Sequence, residues 1–166
     1  MSSVIHPVCH IIEVEEGTKL WYWEAGAKTR PAILLLHGYP TSSNMFRDLI
    51  PLIAPHFHVL APDLPGFGFT TVNDNYTYTF DNLAETILKF TKAIGLSKYI
   101  IYIFDYGLPV GLRLALREPS SVIGLIVQNG NAYEEGLDNR FWGPLKEYWK
   151  TDEGNPQLVN QLKSFV

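Results

Sequence analysis

Tyr99-Ile-Ile-Tyr-Ile-Phe-Asp105-Tyr-Gly-Leu-Pro-Val-Gly111 carries the clearest structural signal in the chain. Six consecutive apolar or aromatic residues read as a buried strand, a single carboxylate follows, and Gly107 opens a helical pattern that runs to Arg117. A strand, a sharp turn and a helix in that order lift the residue at the bend out of the carboxyl end of the sheet, where ligands gather in open α/β folds. A carboxylate in that place is ionised near neutral pH by its ordinary acidity and needs no base to activate it. Its natural chemistry is displacement at a saturated carbon, giving an ester that water must then hydrolyse. The helix N-terminus beneath it favours the negative charge.

Toward the N-terminus, Val8–Val14 and Lys19–Glu24 read as two strands joined through 15–18, an opening hairpin. Ala32–Leu36 is a continuous apolar strand, Asn44–Ile53 is helix-like, and Phe57–Ala61 is the next strand. Phe80–Ile94 carries Leu83, Ile87, Phe90 and Ile94 on one face, with Thr79 as cap, Asp81 in the first turn and Gly95 as stop. Gly107–Arg117 is a helix and Val122–Val127 a strand apolar on both faces. Apolar strands alternating with amphipathic helices predict a mostly parallel sheet covered by helices on both faces. Beyond Gly130 the texture changes to a helical, aromatic-rich tail with Phe141, Trp142, Tyr148 and Trp149. Residues 1–130 therefore read as one α/β body and 131–166 as the start of something else.

Composition narrows the function. Of 166 residues, 46% are hydrophobic and 18% charged, as in ordinary globular chains. A net charge of -4 offers no basic face, so nucleic acid is not an expected partner. Cys9 stands alone, and no Cys/His spacing suggests a metal. Gly66-Phe-Gly68 lacks the third glycine of a dinucleotide fingerprint and no P-loop is present, so no cofactor is expected. Ser42, Ser43, Ser97, Ser120 and Ser121 occupy no elbow, which disfavours a serine hydrolase. The apolar runs fall short of the roughly 20 residues that span a bilayer, and the N-terminus has no signal-peptide pattern. A cytoplasmic location without membrane contact is the expectation.

Three segments then occur in a meaningful order: His37-Gly-Tyr-Pro40, Asp63-Leu-Pro-Gly-Phe-Gly68 and Asp105-Tyr-Gly-Leu-Pro-Val110. Over residues 8–130 the chain resembles the α/β-hydrolase fold family, in its epoxide hydrolase and haloalkane dehalogenase branch. The resemblance implies a mostly parallel sheet with an N-terminal antiparallel hairpin, and a helical lid beginning, incompletely, at 131–166. It implies Asp105 as nucleophile, with the backbone N–H groups of Tyr39 and Tyr106 holding the oxyanion. His37 is expected to be structural, and Asp63 with the glycines after it to shape a turn. Trp142 and Tyr148 fall where a lid would meet substrate, Tyr148 in the region from which epoxide hydrolases offer a tyrosine hydroxyl. The implied substrate is a small electrophile: an epoxide first, an organohalide second, an ester third. The chain also departs from the pattern. Ile103 stands where many elbows have a small residue. Tyr106 replaces the halide-binding Trp of dehalogenases, and Tyr39 replaces their Asn.

The family order places the second acid and the catalytic His after the nucleophile, yet His6, His10, His37, His56 and His58 all precede Asp105. The 166-residue polypeptide is therefore expected to turn over poorly. The rival expectation is a truncated or non-catalytic, ligand-binding form of the fold. The strand at 122–127 would also lack a neighbour, so the chain is expected to be unstable unless a second copy or a C-terminal half covers that edge.

Overall fold

The computed structural model describes residues 5–150 together with 156, 158 and 160. The chain opens with an antiparallel hairpin of β1 (Val8–Glu15) and β2 (Thr18–Ala25). Then follow β3 (Ala32–Leu36), a 3-10 turn (Ser43–Phe46), α1 (Leu49–Ile53), β4 (His58–Pro62), α2 (Phe80–Ala93), β5 (Tyr99–Phe104), α3 (Gly107–Arg117), β6 (Val122–Gln128) and α4 (Asn139–Lys150). The six strands are ordered β1-β2-β4-β3-β5-β6. The pairs β3/β4, β3/β5 and β5/β6 are parallel, and β2 meets β4 antiparallel.

Alternation along the central strands sends side chains into two cores. Leu34, Leu36, Ile101 and Ile103 pack with Leu83, Ile87 and Phe90 of α2 and with Leu108, Val110 and Leu114 of α3. Ile33, Leu35, Val59 and Ala61 face the other way, onto Phe46, Ile50 and Ala54. Helices therefore cover both faces, as the continuous apolar strands require. Each of the Leu, Ile, Val and Phe side chains among them contributes about 1.5–3 kcal/mol by leaving water. Helix α2 begins as expected: the Thr79 side chain accepts from the Asn82 N–H, and Gly95 takes a positive φ after the last turn.

Two expectations are corrected. The helix expected over Asn44–Ile53 is split into the 3-10 turn and the five-residue α1. Pro51 lacks an N–H and fits only the first turn of a helix, so α1 starts at Leu49. The strand expected from Phe57 begins at His58, because the Phe57 N–H donates to the Ile53 carbonyl (3.0 Å) and closes α1 instead.

Strand β6 is one of the two edges of the sheet, β1 being the other. Ile123, Leu125, Ile126 and Val127 are 45–56% exposed, and among the described residues no strand pairs with its outer side. The chain divides into two compact units, 1–130 and 131–166. In the second, the Asp138 carboxylate accepts from the Arg140 N–H at the start of α4, and Trp142 and Tyr148 both lie on that helix. No helix among the described residues is long and apolar enough to cross a membrane.

Candidate active site

Register places the site. Leu36, the last residue of β3, pairs with Ile103 of β5, so the chain leaving β3 runs beside the chain leaving β5. His37-Gly38-Tyr39 and Asp105-Tyr106 thus emerge together at the carboxyl end of the sheet. Asp105 has φ +49°, a conformation that costs a non-glycine residue on the order of 1–3 kcal/mol and belongs to sharp, over-determined turns. Gly107 fits the bend, because a Cβ there would lie 2.4 Å from the Leu36 carbonyl oxygen. Ile103, too large for many elbows, is accommodated one helical turn later. A Cβ on Gly111 would lie 2.2 Å from Ile103 Cγ2, so the missing side chain on α3 makes the room.

The Asp105 carboxylate is half-buried and held by the backbone. Its Oδ1 accepts from the Tyr39 N–H (2.8 Å) and from the Tyr106 N–H (2.6 Å). Among the described residues no cation pairs with it and Oδ2 has no hydrogen-bond partner. The structure thus brings together Asp105, Tyr39 and Tyr106. Two N–H groups converging on one oxygen form an arrangement that can steady a negatively charged oxygen. Trp142 and Tyr148 fall on α4 of the second unit.

The aim of the Tyr39 N–H has a local cause. The Gly38 carbonyl accepts from His37 Nδ1 (3.1 Å), from the Thr41 N–H (3.0 Å) and from the Thr41 hydroxyl (2.9 Å). In a planar trans peptide the N–H opposes the C=O, so three donors on Gly38 O turn the Tyr39 N–H toward Asp105. His37 is fully buried, and its Nε2 accepts from the Leu64 N–H (2.9 Å), which puts the proton on Nδ1. Burial keeps this imidazole below its usual range, against the opposing pull of Gly38, Asp63 and Asp105. With both nitrogens engaged, His37 organises the loop.

Aromatic rings flank the carboxylate. Tyr106 lies 5.8 Å from Tyr39, 6.2 Å from Phe67 and 5.1 Å from Phe80, ring centre to ring centre. Burial first, then the charge of Asp105 and the neighbouring Tyr39, push the Tyr106 phenol up, so it stays protonated at neutral pH. Phe67 and Phe80 were not singled out by sequence. Phe67 had a signal, its place in the loop after β4, whereas Phe80 reaches Tyr106 only through the packing of α2 against α3. Asp63 is fully buried and more than a turn former: it accepts from Ser43 and from the Phe69 N–H. Among the described residues no group of three or more His, Cys, Asp or Glu is placed to hold a metal ion.

A model of the alpha/beta hydrolase fold matches residues 31–166. An uncharacterized hydrolase of Saccharomyces cerevisiae is 60% identical over 166 residues, all of this chain and 57% of that protein. A haloalkane dehalogenase of Bradyrhizobium diazoefficiens is 37% identical over 109 residues, 66% of this chain and 35% of that protein. The crystal structure of a haloalkane dehalogenase from Bradyrhizobium elkani superposes with a TM-score of 0.70 at 32% identity, over 75% of this chain and 42% of that one. The chain thus spans little more than half the length of the first relative and less of the others. With the family model covering most of the sequence, and a mostly parallel six-stranded sheet flanked by helices beneath the site, the chain belongs to the α/β-hydrolase fold family.

Proposed function

We propose that Asp105 is the nucleophile of a hydrolysis that passes through a covalent alkyl ester. One observation carries the reading: Oδ1 is tied by two backbone N–H groups while Oδ2 has no partner among the described residues. Fixing Oδ1 orients Oδ2 toward an incoming carbon, the positioning that converts a bimolecular encounter into an effectively unimolecular step. The bond from Oδ2 to carbon forms as the bond from carbon to the leaving group breaks. Oδ1 becomes the ester carbonyl oxygen, already between the donors that would stabilise the oxyanion when water attacks, each worth about 10²–10³ in rate.

The favoured electrophile is an epoxide. An opening epoxide leaves an alkoxide that needs a proton, and the phenol of Tyr106, kept protonated by burial and by the charge of Asp105, is a donor close to that carboxylate, with the Tyr39 ring 5.8 Å from its own; dehalogenases carry Trp and Asn at these two positions. A halide needs no proton. Trp142 and Tyr148 are proposed to contribute to substrate binding from α4. The haloalkane dehalogenases among the relatives favour an organohalide as the second reading. Hydrolysis of the ester needs a base, and both ring nitrogens of His37, the imidazole of the loop beside Asp105, are already engaged, so the ester is proposed to persist long enough to be trapped on this polypeptide.

The test is to incubate the chain with styrene oxide or 1-bromobutane, then measure intact mass and map the adduct. A single adduct on Asp105, lost in Asp105→Asn, is expected, with Tyr106→Phe slowing the reaction with the epoxide and not with the bromide. No adduct from either reagent, or one mapped elsewhere, would overturn the nucleophile. Equal slowing, or none, would overturn the epoxide preference.

A further inference from the structure

The residue pair Asp63-Leu64 clamps both ends of the loop that presents the Tyr39 N–H, and we propose that Asp63 is the positioning residue for that donor. The loop leaves β3 at His37 and re-enters ordered structure at Ser43, the first residue of the 3-10 turn. At its near end His37 Nε2 accepts from the Leu64 N–H (2.9 Å). At its far end Ser43 donates twice to Asp63 Oδ1, from its N–H (2.8 Å) and its hydroxyl (2.6 Å). Two neighbouring residues at the end of β4 therefore hold both anchors of a seven-residue span.

Asp63 itself has little freedom. It is 0% exposed, its N–H donates to the Trp21 carbonyl (2.9 Å), and its own carbonyl accepts from the Thr70 hydroxyl (2.8 Å). Its Oδ2 accepts from the Phe69 N–H (2.9 Å), which ties down the loop carrying Phe67. Phe67 in turn packs edge-on against His37 and Tyr106 and near Tyr39. No cation among the described residues balances this buried carboxylate. Three N–H and O–H donors hold it, and charged groups in that setting make short, directional bonds. A buried carboxylate is tolerated only when donors of this kind are fixed around it, so its presence ties those donors to one place. Here it does something a neutral side chain does poorly: it gathers the oxyanion loop and the aromatic loop onto one point.

The clamp is tested on the ¹⁵N-labelled chain by following the Tyr39 and Tyr106 amide resonances through a pH titration. In the wild type both amides donate to the same oxygen, so both respond to protonation of Asp105. In Asp63→Asn, which keeps the shape but loses acceptor capacity, the Tyr39 amide should lose that response while Tyr106 keeps it. Ser43→Ala removes one donor and leaves the Ser43 N–H; it should show the same effect in smaller degree, and it decides the matter should Asp63→Asn fail to fold. A residue important only for packing would lower the melting temperature and leave the Tyr39 response intact. That outcome in Ser43→Ala, or in a folded Asp63→Asn, overturns the proposal. The chemical consequence rests on Asp105 being the nucleophile: alkylation should slow about tenfold or more in Asp63→Asn, as for a misaligned group. If the wild type is never alkylated, that reading fails while the amide titration still decides the clamp.

Discussion

Replacing Gly38 with alanine should disable the site while leaving the fold in place. A Cβ at Gly38 would lie 2.4 Å from Asp105 Cβ, 2.7 Å from Oδ1 and 2.9 Å from Cγ. Carbon atoms rest about 3.5–4.0 Å apart, so one of the two backbones or the carboxylate must yield by roughly 1 Å. The Gly38 peptide is pinned by three donors on its carbonyl, whereas Asp105 is half-buried at a bend, so the carboxylate moves. A shift of 1 Å stretches bonds of 2.8 and 2.6 Å beyond useful hydrogen-bond length. Misplacing a reacting group by that much costs about 10²-fold in rate. Overpacking of this kind costs about 1–3 kcal/mol of stability. The assay is the rate of Asp105 alkylation by styrene oxide, read by mass spectrometry beside a thermal melt. Gly143→Ala, whose added Cβ meets nothing within 4 Å, is the control. The expected result is a rate about a hundredfold lower with a cooperative melt retained. A Gly38→Ala rate within about threefold of wild type would show instead that the close approach of Gly38 to Asp105 has no bearing on the chemistry.

Other outcomes follow from the same geometry. Gly111→Ala should destabilise, since the gain of about 1 kcal/mol from helix propensity is outweighed by the clash with Ile103 Cγ2 at 2.2 Å. In an Ile103→Ala background the sign should reverse, and a double-mutant cycle by denaturant unfolding should give a coupling of about 1–3 kcal/mol. Acidification should weaken the fold in two stages. Burial holds His37 below the usual imidazole range, so its contribution is full above that range and is lost as pH falls through its lowered value. For Glu24, burial opposes the charge but hydrogen bonds from His58 and Lys28 outweigh it, so its pKa is lowered. Its contribution is present above the ordinary glutamate range and lost below it; melts of Glu24→Gln should converge on wild type only at the acid end. On β6, Ile126→Lys or Val127→Lys should reduce any concentration-dependent association measured by sedimentation, because both side chains are about half exposed on an edge that no strand pairs with among the described residues.

Much of this was legible in the residues. Strands β3 and β5 and helix α3 fall where unbroken apolar runs and the change of period put them, since burial on both faces leaves no other pattern. The bend at Asp105 was legible for the same reason: a charge closing a buried strand can only sit at its end. What sequence did not reveal depends on contacts between distant segments. Nothing in the spacing of Ile103 and Gly111 says that one fills the space the other leaves. Asp63 read as a turn former because its local neighbours are Pro and Gly; its hold on Ser43 spans twenty positions and is fixed by the sheet order. The break in the helix near 44–53 could have been read from Pro51.

The measurement that bears most directly on Asp105 uses the alkylated chain itself. After reaction with styrene oxide and removal of excess reagent, the adduct is cleaved at mild alkaline pH in ¹⁸O-water and the peptide containing Asp105 is weighed. An ester opened at its carbonyl places one ¹⁸O in the Asp105 side chain and releases an unlabelled diol. Label found in the diol alone, with Asp105 unlabelled, would contradict a covalent ester at this carboxylate.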